Sequence, residues 1–149
     1  MAKRKVKRKS VDRPYAAGTM SVAGRHGFFM GLIRHGLMRW KPKHLCIKNA
    51  ATEKKTNPLT NRLCMYHRCV HCKGEFIAKN MRADHIEPLV PITGFVSWDD
   101  TFKRAFVEVD GFQAVCVDCH KIKTAEEGEL RKLHKQFAEV HAAIPDIQD

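Results

Sequence analysis

At 149 residues the chain has room for one domain, or for a small core with extensions. Its formal charge of +11 and pI near 9.6 favour polyanionic partners, nucleic acid first among them. No apolar run approaches the roughly 18 residues of a membrane span, and the basic N-terminus lacks the apolar stretch and cleavage site of a signal peptide. Neither a membrane-spanning helix nor secretion is expected, and a reducing cytoplasm is the natural setting for the cysteines.

Residues 3–9 read Lys-Arg-Lys-Val-Lys-Arg-Lys, with six basic side chains in seven. Self-repulsion predicts an extended arm that can lie along phosphates. The run also matches the pattern of nuclear localisation signals and serves equally as a solubilising tail. Residues 10–25, with Pro14, Gly18 and Gly24, read as loop. Phe29, Ile33, Leu37 and Trp40 share one face of a helix expected over 26–40. A second helix is expected from Pro42 to about Glu53, and Pro58 breaks the chain after it.

Six cysteines follow an uneven pattern. Cys46 and Cys64 have no metal spacing and read as small buried hydrophobes. Cys69-x-x-Cys72 and Cys116-x-x-Cys119 have the short spacing of tetrahedral thiolate ligation. In the first pair a glycine, Gly74, is expected to supply the positive φ of the turn, and Phe76-Ile77 the returning strand. The second pair is expected at the start of a helix. Together they predict one closed structural zinc site, with no open position for chemistry.

Between the pairs, Met81-Arg82-Ala83-Asp84-His85-Ile86 reads as a short strand. Neighbouring side chains on a strand point to opposite faces, so one of Asp84 and His85 must sit at a strand end to serve a common site. A carboxylate with a second ligand can hold a divalent ion, and a neutral imidazole can take a proton from water near pH 7. Asp84 and His120 fit the first role and His85 the second. His120 can alternatively cap its helix or bond a zinc thiolate.

In the insert, Ser97 is expected to cap a helix whose Trp98, Phe102 and Phe106 form a packing face, with Lys103 and Arg104 turned outward. Thr124-Ala125-Glu126-Glu127 has capping-box form, which predicts a break after the helix carrying His120. Leu130, Leu133, Phe137 and Val140 repeat at helical spacing and are expected to pack on the core up to about Ala143, before Pro145.

Asp84-His85-Ile86-x-Pro88, followed by Phe112-Gln113-Ala114-Val115-Cys116-x-x-Cys119-His120-x-x-Lys123-Thr124, resembles the HNH endonucleases, best the phage-type members with a four-cysteine zinc. The resemblance covers about residues 60–128. It implies an α+β fold: a ββα-metal, treble-clef-like core stapled by the zinc, with N-terminal and C-terminal helices. The chain then divides into an arm and loop (1–25), a helical extension (26–62), the core (63–128) and a C-terminal helix (129–149).

The resemblance further implies that His85 is the general base. Asp84 and His120 would hold a catalytic magnesium or manganese ion, nickel being a further option, and the cut leaves a 5′-phosphate and a 3′-hydroxyl. Lys123 matches a basic family position. Arg82, Lys121, Lys103 and Arg104 join it as candidate DNA contacts. The family's middle asparagine falls here at Gly111, leaving Asp110 or backbone bonds to support the loop that orients His85. The expected partner is DNA, with a homodimer or larger phage machinery as further options, and the expected location is the cytoplasm of a bacterial host. The rival readings are a non-catalytic zinc module that binds nucleic acid, an accessory to a phage DNA-packaging machine, and an RNase.

Overall fold

The computed structural model describes residues 11–143, so the basic run at 3–9 and the Pro145 terminus lie outside the described residues. The chain is mixed α and β and divides into two compact units, Met1–Met38 and Arg39–Asp149. No helix among the described residues is long and apolar enough to cross a membrane.

In the first unit, Tyr15 and Met20 exchange backbone hydrogen bonds around a turn. Ala16, Ala17 and Gly18 are all left-handed there, at φ 49°, 53° and 80°. Arg25 lies 3.9 Å over the Tyr15 ring. Helix α1 (Val22–Leu37) starts four residues earlier than expected, because the Ser21 side chain accepts the Gly24 N–H and caps it. Its buried line is Met30, Ile33 and Leu37; Phe29 is more exposed than that line.

The second unit begins with α2 (Lys41–Asn49), whose Pro42 sits in the first turn as expected. The helix stops short of Glu53. Ala51–Thr56 forms strand β1 instead, paired antiparallel with β2 (Leu63–Arg68) from Ala51 opposite His67 to Thr56 opposite Leu63. The turn between them is tied by Asn57, which is buried; its side-chain oxygen accepts the Leu59 N–H. Strand β3 (Glu75–Ile77) pairs with β2 across the first cysteine pair.

A short 3-10 turn leads into β4 (Met81–His85), which pairs antiparallel with β5 (Phe112–Cys116). The register runs from Met81 opposite Cys116 to His85 opposite Phe112. Between these strands lies α3 (Trp98–Ala105), capped by Ser97 as expected. It buries Thr101 and Ala105, while Phe102 is exposed, which corrects the expected Trp98–Phe102–Phe106 packing face. Phe106 instead meets the Trp40 ring edge-on, and the Trp40 indole donates to the Val107 carbonyl.

Helix α4 (Val117–Ala143) follows β5 with no intervening loop. It is one continuous helix. Thr124 does not cap a new one: its hydroxyl donates to the His120 carbonyl four residues back. Nor does its C-terminal half bury the expected stripe, since Leu130, Leu133, Phe137 and Val140 are all about half exposed or more. The buried core of this unit is small and centred on β4 and β5, with Met81, Phe112, Ala114, Val115 and the cysteines Cys46, Cys69 and Cys116. Cys46 behaves as the expected buried hydrophobe and burial raises its pKa; Cys64 is only half-buried.

Candidate metal centre and polar site

Two local turns and one register bring the four cysteines together. Cys69 to Gly74 forms a tight knuckle in which the Cys69 N–H donates to the Gly74 carbonyl and the Lys73 N–H to the Cys69 carbonyl. The left-handed residue is Lys73, at φ 60°, and not the expected glycine. Gly74 is small for another reason: a Cβ there would lie 3.0 Å from the Phe76 ring. The β4–β5 register then places Cys116 beside the knuckle, and α4 delivers Cys119 one turn on.

One sulfur from each cysteine lies within 4.8 Å of the other three, and Cys72 and Cys116 are 3.9 Å apart. Four thiolates at zinc-bond length span edges of about 3.8 Å, so the cluster fits such an ion with little adjustment. The backbone is already arranged for thiolates. The Cys116 N–H donates to Cys69 Sγ and the Cys119 N–H to Cys116 Sγ. Burial pushes the Cys69 thiol up, but N–H groups of Cys116, Cys72 and His71 outweigh it and bring its pKa down to about 6. Cys119 is pushed up to about 12, chiefly by its hydrogen bond with Cys116. At Cys72 the Gly74 N–H lowers the pKa, but desolvation and the sulfurs of Cys69 and Cys116 outweigh it, so the net shift is upward.

A second polar group lies between β4, β5 and α4. Asp84 faces Gln113 across the strand pair, and the Gln113 amide donates to Asp84 Oδ2 at 3.2 Å. His120, one residue past Cys119, brings Nε2 to 3.6 Å from Asp84 Oδ1. Lys123, one turn further, donates to Asp84 Oδ2 at 2.8 Å, to Glu127 at 2.6 Å and to the His85 carbonyl at 3.0 Å. Burial opposes the lysine charge, but the Asp84 and Glu127 carboxylates outweigh it and raise its pKa. The Asp84 side chain is only 16% exposed and His120 39%, so solvent reaches the pair from the histidine side.

No family model matches the chain, and no curated protein or solved structure is similar to it at a significant level. The site therefore rests on its own geometry.

His85 is the last residue of β4 and turns the other way, toward α3. Its ring lies 4.6 Å from that of Phe112, and its Nε2 is 3.0 Å from the Ala105 carbonyl. A carbonyl only accepts, so Nε2 carries the proton and Nδ1 keeps its lone pair in the neutral ring. Beyond His85 opens a cavity of about 720 Å³ lined also by Arg104, Val107, Glu108 and Asp110. Gly111 holds the loop by backbone alone: it accepts from the Ile86 N–H and donates to the Glu108 carbonyl. A Cβ at Gly111 would come within 2.5 Å of the Val107 side chain, so the position admits no asparagine without displacing its neighbour. Asp110 lies exposed on the rim of the same cavity.

The structure thus gathers Asp84, His120 and Lys123 into one cluster; of His85 only the backbone carbonyl touches it, through Lys123, while the ring faces Ala105 and Phe112. The other candidate DNA contacts are engaged within the chain. Arg82 donates to the Lys79 and Met81 carbonyls; Arg104 is held by Glu87 and Asp100. Lys103 and Lys121 make exposed pairs with Asp99 and Asp118, which cost little to break. Gln113, Glu127 and the Ala105 carbonyl were not anticipated. Of these, only Glu127 had a local signal, its place four residues after Lys123 on a helix.

Proposed function

We propose that the chain is a metal-dependent nuclease of the HNH type, hydrolysing phosphodiester bonds in DNA. The observation that carries this reading is the contact of His85 Nε2 with the Ala105 carbonyl, which leaves Nδ1 to accept, at the end of the strand that also carries Asp84. The strand-strand-helix succession of β4, β5 and α4, with α4 anchored at the four cysteines, supports it as scaffold. Asp84 Oδ1 and His120 Nε2, 3.6 Å apart, have the donor types and spacing to share one hard divalent ion such as magnesium or manganese. Bound there, such an ion would supply positive charge against the scissile phosphate and the departing oxygen.

The chain's own residues do the rest. His85 Nδ1 takes a proton from the attacking water, while Nε2–H stays on Ala105 and keeps the ring in place. As the new P–O bond forms, the bond to the 3′ oxygen breaks and that oxygen takes a proton from solvent water, leaving a 5′-phosphate and a 3′-hydroxyl. Lys123 and Gln113 hold Asp84 in one rotamer, and Lys123 fixes the strand end through the His85 carbonyl. The cysteine zinc is structural in this reading.

A second reading has one observation in its favour. Lys123 already occupies Asp84 Oδ2 at 2.8 Å, which leaves only part of the carboxylate for an ion. On that reading Asp84, His120 and Lys123 form a structural polar cluster. The chain is then a zinc module that binds nucleic acid without cutting it, alone or as an accessory to a phage DNA-packaging machine.

Supercoiled plasmid incubated with the purified protein and magnesium or manganese separates the two. The nuclease reading expects metal-dependent nicking that falls about 10²–10⁴-fold in His85→Ala, with the zinc content unchanged. Binding of the plasmid without nicking under every metal supports the second reading. Equal nicking by His85→Ala removes that residue as the base.

A further inference from the structure

We infer that the outer face of α2, with Arg39 just before it, is the surface that grips the nucleic-acid phosphate backbone. This inference rests on the nucleic-acid part of the reading above and not on catalysis. From residue 13 to residue 52 the sequence has seven Lys or Arg and no Asp or Glu. Within the second unit, the end of that stretch is α2. Lys41, His44, Leu45 and Lys48 recur at helical spacing on one side and are exposed, while Cys46 on the opposite side is buried.

The other basic groups of this unit near the site are engaged by carboxylates or carbonyls, as described for Arg82, Lys103, Arg104, Lys121 and Lys123. Arg39, Lys41 and Lys48 are not. Among the described residues none of the three has a carboxylate within ion-pair distance. Cations left uncompensated on one helix face repel each other at low salt, and a polyanion relieves that repulsion. Lys41 and Lys48, seven residues or about two helical turns apart, can each meet a phosphate and carry no base code.

The face also leads toward the candidate site. A shallow groove of about 420 Å³ runs along it, lined by Lys41, His44, Leu45, Lys48, Glu108 and Val109. Glu108 also lines the cavity that opens beyond His85, so groove and cavity meet there. Glu108 is the one acidic group lining the groove. A strand held by its phosphates along α2 is thereby led to the end of β4.

The test uses the full zinc-loaded chain and a duplex oligonucleotide, without added catalytic metal, read by fluorescence anisotropy across a salt series. The variant Arg39→Gln/Lys41→Gln/Lys48→Gln removes three outward charges. A comparison variant, Lys54→Gln/Lys132→Gln/Lys135→Gln, removes the same charge elsewhere. Circular dichroism and zinc content check that both are folded. The inference expects the slope of log K against log salt to fall by about three in the α2 variant and to change by less than one in the comparison. Equal slopes in both variants overturn it, as does an α2 variant that binds like wild type. Binding to anionic lipid vesicles in preference to the duplex also overturns it. If the wild-type protein fails to bind duplex at any salt, the nucleic-acid reading itself fails, which is a different result.

Discussion

Gly111 shows how one position can look like a defect and yet be required. The side-chain asparagine that the resemblance calls for has no room, because Val107 lies 2.5 Å from where a Cβ would sit. The loop's support comes instead from the Ile86 N–H bonded to the Gly111 carbonyl, right after His85. Gly111→Asn should therefore destabilise the chain by roughly 1–3 kcal/mol, the usual cost of overpacking. Adding Val107→Ala should recover only part of that loss, since it removes the Cγ2 methyl at 2.5 Å but keeps the Cβ at 2.6 Å. Thermal melts of the two variants check this; a Gly111→Asn variant as stable as wild type would mean that the loop yields easily. Asp84 belongs to the same scale. Its setting depends on Gln113 and Lys123, and neither partnership can be read from neighbours in sequence.

At the scale of elements, what was legible followed locality. Both cysteine turns, the Ser97 cap and the Pro42 helix start are decided within a few residues, and each stands where it was expected. The Asp84–His120–Lys123 cluster was partly legible, because His120 follows Cys119 in the first turns of α4 and Lys123 comes one turn later. Gln113 was hidden because it depends on the β4–β5 register, across an insert of its own. Strand β1 was hidden because Ala51–Thr56 is exposed along its length and mostly polar, so only its pairing with β2 makes it a strand. Thr124 had the pattern of a cap, but a cap needs extended backbone, and the helix from Cys119 runs straight through it.

The apolar stripe of α4 carried the right period and the wrong conclusion, since period shows that residues share a face and not that anything covers it. Two substitutions measure the difference. Phe112→Ala, at a residue 5% exposed, should cost about 3–5 kcal/mol. Phe137→Ala, at one 66% exposed, should stay within about 0.5 kcal/mol. Denaturant titrations at low protein concentration would expose any hidden packing as a large Phe137 effect.

For the molecule as a whole, the second unit buries few large side chains, and a metal ion at the cysteine cluster would add a cross-link to that core. The cluster joins the β2–β3 knuckle to the β5–α4 junction, far apart in sequence, so an ion there closes a long loop. The proton balance follows from the thiols. At pH 7 Cys69, with its pKa down at about 6, is mostly thiolate, whereas Cys119, up at about 12, is a thiol, and Cys72 is raised as well. Zinc needs thiolates, so its binding to the metal-free chain at pH 7 should release at least two protons per ion, measurable as acidification of a weakly buffered solution. The same linkage sets the direction of the pH effect: protons compete with the metal, so affinity for zinc falls as pH falls. On this account a chelator should unfold the second unit at neutral pH, and acid should make that easier. A chain that keeps its circular dichroism and its melting midpoint after zinc is stripped would show instead that the strands and α2 suffice alone.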